Sequence, residues 1–355
     1  MRARASLLAR SAFAVYALLV VYASLYPFSG WRDQGLPAFA YLVAPPPAYV
    51  TAFDVVANIL GYVPFGFLCV LAVHPRLQRH RALAAAAASG ALLSMCLEAA
   101  QSFLPARVAS NLDVLCNVGG ALAGAVLSTR FSPWLLDAGP LRRLRARAFL
   151  PGAAADLGLV LVALWLFTQL NPAMLLFGAG DLRDLLAAPG GAPHAPELFV
   201  SVEAFTAAAN LVAAALLLSA IVSPGSRVRA MVLVLVLVAL AVKAAAFAIL
   251  MRAEHVFVWL TPGAMQGLGI GVLAALMAVA LPRPVRLALA AMLLMAATVL
   301  VNLAPPNPYV AATLTVWQQG HFLNFNGLTR VVSSIWPFAA LGYLTWLASR
   351  RGALG

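Results

Sequence analysis

Three carboxylates in this chain fall inside runs of Ala, Leu and Val, where a charge needs an explanation: Asp54, Glu98 and Asp113. At the centre of a membrane helix an ionised carboxylate costs about 2.5–3.5 kcal/mol on insertion-derived scales. Such a group is retained where it has a partner, a pocket or a task. Each of the three travels with a neutral amide: Asn58 after Asp54, Gln101 after Glu98, and Asn117 after Asp113. The offsets are four, three and four residues, which put both members of a pair on one face of a helix. A carboxylate beside an amide can hold a proton, a cation or the basic group of a ligand. The competing reading is that these groups only hydrogen-bond one another and fix helix packing. Arg107 stands between the second and third signatures and is placed to pair with one carboxylate. Oxygen ligands would suit a hard cation, but nothing in the spacing requires one, and neither a metal nor a cofactor is expected.

The second half offers fewer candidates. Glu203 and Asn210 are seven apart, on one helix face, and Lys243 is the only lysine in the chain. Glu203 and Lys243 are expected to form an intramembrane ion pair that is structural rather than catalytic. Asn324, Asn326 and Arg330 form a late polar group. His255 and His321 read as solvated loop residues. There is no H-E-x2-H, G-x-S-x-G or Walker-type loop, so an enzyme is the least favoured class. Gly267, Gly269 and Gly271 follow no strand and read as packing glycines.

The elements that must position these residues follow from composition. The chain is 63% hydrophobic and only 10% charged, with a mean hydropathy of +0.93. A soluble domain carries about 25% charged residues. Long apolar runs separated by short basic loops define an all-α, polytopic transmembrane helical bundle. The net charge of +12 belongs to those loops. No folded basic domain is left over for nucleic acid. Cys69, Cys96 and Cys116 are odd in number, contain no C-x2-C pair and read as small buried residues.

Taken in order, the first helix runs 11–28 and is read as an uncleaved membrane helix. A Pro-rich loop follows at 31–50. Helices are expected near 53–73, 82–104, 111–128, 152–177, 198–222, 228–250, 256–281, 285–303 and 331–349, about ten in all. Residues 1–130 form one half, 131–151 a basic linker, and 152–355 the other half. Pro64 should kink its helix. Gly61, Gly66, Gly120 and Gly124 allow close helix contact. With both termini cytoplasmic, the outer loops hold only Arg32, Arg107, Arg183, Arg252 and Arg330, and every other Arg lies inside. In that topology Asp54, Glu98 and Asp113 converge near the outer face.

The pattern Asp54, Asn58, Pro64, Gly66, then Glu98, Gln101, Arg107, then Asp113, Asn117, Gly120 resembles the signature of the VanZ-like family of bacterial integral membrane proteins. The resemblance spans about 21–127, and the stretch 322–330 is similar to longer members. It implies a multi-pass protein of the cytoplasmic (inner) membrane with a cell-envelope role. It also implies an influence on sensitivity to lipid-tailed glycopeptide antibiotics. Membrane lipids are the expected surroundings, and a lipid-linked or small polar molecule the expected ligand. A transporter or flippase of such a molecule is the alternative.

Overall fold

The computed structural model describes residues 6–26, 28–35, 37–45, 49–105, 107–132, 139–183, 196–250, 256–305 and 323–350. At 132, 140–142, 250 and 323–326 only the backbone is described. The described elements are helical: α1 Leu7–Leu25, α2 Ala52–Val73, α3 His80–Gln101, α4 Asn111–Ser132, α5 Pro140–Ala148, α6 Ala153–Thr168, α7 Pro196–Ile221, α8 Val228–Leu250, α9 Pro262–Ala278, α10 Arg283–Leu303 and α11 Leu323–Ser349. Eight of them are long and apolar enough to cross a membrane, whereas α6 and α9 are apolar but shorter. Leu18, Leu60, Leu92, Leu115 and Leu237 project outward, each more than 60% exposed. Apolar side chains this exposed on spanning helices suit lipid rather than water. The protein is a multi-pass helical membrane protein.

Local chemistry explains the helix ends. Thr51 caps α2 in a reciprocal box with Asp54, which satisfies backbone donors that a helix start leaves open. Thr261 caps α9, and Pro262 occupies its first turn, where a missing N–H costs nothing.

Several elements differ from the sequence reading: the first helix runs Leu7–Leu25 rather than 11–28, and the helix expected from 256 begins at Pro262, capped by Thr261. The helix expected to reach residue 177 stops at Thr168, because Pro172 has no N–H to give and its ring clashes with the carbonyl one turn back. The last helix begins at Leu323 rather than 331. The basic linker contains a helix, α5. Arginine is a good helix former, and Pro140 suits the first helical position.

The chain divides into two compact units, residues 1–147 and 148–355. In unit 1, α2 and α4 cross with their backbones almost touching. A Cβ on Gly66 would overlap the Ala121 carbonyl, one on Gly120 the Ile59 carbonyl, and one on Gly124 the Val63 carbonyl. Gly61 departs from the packing expectation: a Cβ there would meet nothing within 4 Å. Tyr62, Phe65, Leu97, Ala121 and Val20 form the small core at this crossing.

Unit 2 is wrapped around α7. Every residue from Thr206 to Ile221 is buried, as expected of a helix that is apolar nearly all round. Gly267 and Gly271 of α9 pack against Ala204, Ala207 and Ala208 of α7, whereas Gly269 faces open space.

Candidate functional site

Unit 1 gathers its polar residues at one end, where α2 and α4 begin and α3 finishes. The loop before α2 folds over the end of α3: the Arg32 amide donates to the Phe103 carbonyl at 2.9 Å, and the Ser102 hydroxyl to Ala38 at 3.2 Å. The Tyr41 hydroxyl donates to the Met95 carbonyl at 2.9 Å. The Asn111 amide donates to Ala44 at 2.7 Å. The polar end of the helices therefore has a structured rim.

The three carboxylates differ in exposure along this end. Asp54 is exposed and accepts from the Thr51 hydroxyl at 2.6 Å and the Thr51 amide at 3.2 Å. Asp113 is partly buried and lies within electrostatic reach of Asp54, with Asn58 of α2 near it across the α2–α4 crossing. Glu98 is 4% exposed and accepts from the Ser110 backbone N–H at 2.8 Å. It lies within electrostatic reach of Asp113 and Arg107. The result is a row of carboxylates running from the rim inward.

The amides bond across helices rather than to their sequence neighbours. Gln101 donates to the Ser24 carbonyl at 2.9 Å, tying α3 to α1. Asn117 is buried and donates to the Ser94 hydroxyl at 2.9 Å. Among the described residues its carbonyl oxygen has no partner, and the Tyr62 hydroxyl, which lies beside Ser94, makes no hydrogen bond of good geometry. Orphaned buried polar atoms are rare and costly, about 1–3 kcal/mol each. These two mark where a ligand or water would be received. Pro64 sits within a continuous α2, and the Tyr16 hydroxyl donates to the Gly61 carbonyl beside it at 2.8 Å.

Arg107 bonds differently from the simplest expectation. Its guanidinium donates to the Tyr26 carbonyl at 3.1 Å, because the loop after α3 turns it toward the end of α1. It still feels the charge of Glu98, which counteracts part of the lowering that burial imposes on its pKa. Burial, and then Glu98 and Cys96, push the Tyr41 hydroxyl above its ordinary range. Sequence reasoning missed Tyr16, Tyr41, Tyr62 and Ser94. Tyr62 one turn after Asn58, Ser94 four before Glu98, Tyr16 on α1 and Tyr41 in the loop before α2 are common residues, with no spacing to single them out.

Among the described residues no group of three His, Cys, Asp or Glu is arranged to hold a metal. The three cysteines are free, with Cys69 and Cys116 buried and Cys96 exposed.

In unit 2, Glu203 and Lys243 are both buried. They do not form the direct pair expected from the sequence. The Lys243 ammonium donates instead to the carbonyls of Asn171 and Met174, at 2.7 and 2.8 Å. The unwound chain after α6 supplies those acceptors, and no helix periodicity could reveal them. Arg330 lies on α11 and is exposed. The side chains of Asn324 and Asn326, together with His255 and His321, lie outside the described residues.

The fold and the acidic cluster thus define a multi-pass helical membrane protein with a polar site at one end of its first unit. Residues 11–132 match the family model VanZ/LLP1. The match covers about a third of the chain, and this part is similar to the VanZ/LLP1 family. No curated protein and no solved structure matches the chain.

Proposed function

We propose that this VanZ-like membrane protein serves the bacterial cell envelope through the acidic site of unit 1, facing outward from the cytoplasmic membrane. The observation that carries the reading is the carboxylate row Asp54, Asp113 and Glu98, which ends at the orphaned polar atoms of Asn117 and Tyr62. Carboxylates outnumber the one guanidinium near them, so the site attracts positive charge. A protonated amine on an envelope molecule, whether lipid-linked or free, is the ligand chemistry that fits. The Asp54 and Asp113 end would take the cation, and Asn117 and Tyr62 would take a neutral hydrogen-bonding group. An influence on sensitivity to lipid-tailed glycopeptide antibiotics would follow from such binding. The Arg asymmetry of the loops supports the outward orientation.

The test separates charge from shape. Asp54→Asn, Glu98→Gln and Asp113→Asn keep hydrogen bonding but remove the charge. Each should reach wild-type membrane levels and detergent stability. Each should also fail to restore the drug-susceptibility and envelope-lipid profile of a deletion strain. Arg107→Gln should show a milder loss. Full restoration by all three amide variants would leave helix packing as the role of these residues. A second reading, a transporter or flippase, is favoured by the unwound, buried chain after α6 in unit 2.

A further inference from the structure

Unit 2 contains a polar region of a different kind. After α6 ends, the chain does not leave the interior: Gln169, Asn171, Leu176, Phe177 and Ala179 are all buried. Non-helical backbone at membrane depth persists only where protein or water covers its polar groups. Here side chains cover many of them. Gln169 accepts from the Phe177 amide at 3.1 Å, Asn302 donates to the Gly180 carbonyl at 2.7 Å, and Lys243 holds the carbonyls of Asn171 and Met174.

Both short apolar helices border this region. The chain leaving α6 supplies carbonyls to the Lys243 ammonium. The start of α9 lies against Glu203, so close that a Cβ on Gly263 would come within 2.7 Å of its carboxylate oxygen. Broken helices in membrane proteins bind cations at unwound carbonyls and anions at helix N-termini. In this unit the protein's own ammonium and carboxylate occupy those two places. Among the described residues the fully buried charges here are these two, one of each sign, and the nearby Asp181–Arg183 ion pair is itself neutral.

The remaining polar groups of α7 are not balanced. Among the described residues the Thr206 hydroxyl and both polar atoms of the Asn210 amide have no partner, and both residues are 0% exposed. Offsets of three and seven put them on the face of Glu203, about 4.5 and 10.5 Å further along the helix at 1.5 Å per residue. Ser219, on the same helix, shows the contrast: its hydroxyl accepts from Arg286 at 2.8 Å. Three orphaned atoms at about 1–3 kcal/mol each imply a partner from outside the chain.

We propose that unit 2 encloses a binding site for a small polar solute of no net charge. Thr206 and Asn210 form its hydrogen-bonding wall, and Glu203 with Lys243 form a charge-balanced end. A charged solute would leave one buried charge uncompensated, which is strongly unfavourable. A neutral or zwitterionic one would not. The described conformation is closed, and the solute enters by an opening movement.

Cysteine accessibility in membrane vesicles tests this. Cys69, Cys96 and Cys116 are first replaced by Ser. Thr206→Cys and Asn210→Cys are then compared with Ala207→Cys and Leu211→Cys, whose side chains pack against Gly267 and Gly271 of α9. The probes are neutral, cationic and anionic methanethiosulfonates, which modify thiols in contact with water. The neutral reagent should modify positions 206 and 210 at least about tenfold faster than 207 and 211, a difference of about 1.4 kcal/mol in barrier. The charged reagents should react no faster at 206 and 210 than at the controls. Equal rates at all four positions with the neutral reagent would overturn the site. Adding Glu203→Gln to the position-210 variant leaves Lys243 uncompensated, so the anionic reagent should then gain at least about tenfold. No gain would overturn the charge-balanced end. Only variants that elute like wild type are compared, and Thr206→Cys gives the reading if Asn210→Cys does not fold.

Discussion

The two units keep charge inside a membrane protein by different means. Unit 1 groups three carboxylates at one end of its helices, with Asp54 exposed, Asp113 partly buried and Glu98 enclosed. Among the described residues of unit 2, the fully enclosed charges are one carboxylate, Glu203 on α7 beside the start of α9, and one ammonium, Lys243 on α8 beside the chain leaving α6. The packing explains the difference. In unit 1 the α2–α4 crossing is closed by glycines against backbone, so its middle has no room for polar side chains, and they collect at the rim. In unit 2 the unwound chain after α6 brings carbonyls into the interior, and these can solvate an ammonium. Water near the boundary lowers the cost of charge in the first case, and internal dipoles do so in the second.

The comparison breaks most sharply at the glycine crossing. Gly124→Leu would drive a side chain into the Val63 carbonyl and the Phe67 amide nitrogen. Both are backbone atoms that cannot rotate away, so the cost should exceed the usual overpacking range of about 1–3 kcal/mol. Immunoblots of membranes should show little accumulated protein. Gly61→Ala, about one and a half turns from the Gly66 contact on the same helix, should accumulate normally. If Gly124→Leu accumulates and melts like wild type, backbone contact is not what closes unit 1.

Next in size is Lys243→Met. It fills similar volume but leaves the Asn171 and Met174 carbonyls without their donor, and Glu203 without its counter-charge. A loss of about 3–5 kcal/mol is expected from breaking a buried charge arrangement on one side. Thermal melting in detergent would read it. Glu98→Gln, which removes a carboxylate near the rim of unit 1, should change stability by less than about 1 kcal/mol. Equal losses in the two variants would erase the distinction drawn between the units.

The smallest expected effect concerns Tyr41. Its raised pKa means that the folded state keeps the phenol neutral where the unfolded chain would ionise it. The stability this adds is fully present below the unfolded value of about 10. It is lost as pH rises through the folded value. Tyr41→Phe should cost about 1 kcal/mol near neutral pH through the lost bond to Met95. It should also show a shallower fall in melting temperature above pH about 10 than wild type. An unchanged alkaline slope would mean that Tyr41 does not titrate with unfolding.

Much of the architecture was legible before any coordinates. Among the described residues, apolar runs located the eight helices long enough to span a membrane and the two shorter apolar ones, and the D-x3-N repeats pointed to the residues that unit 1 collects at one end. Legibility failed where apolar composition and helix parted company. Ala173 to Phe177 read as helix because they are apolar, yet Pro172 removes the N–H that would propagate it. Residues 140–148 read as linker because they are basic, although arginine favours helix.

By itself the sequence determined which segments need lipid, how few charges they contain, and which charges share a helix face, because burial of apolar area and helical period are local properties. Only the tertiary structure decided who bonds to whom. Gln101 reaches the Ser24 carbonyl, Asn117 reaches Ser94, and Lys243 reaches two carbonyls rather than Glu203. Those choices depend on how closely neighbouring helices approach and where a helix unwinds. Both are set by contacts between residues far apart in the chain, which no spacing along it records.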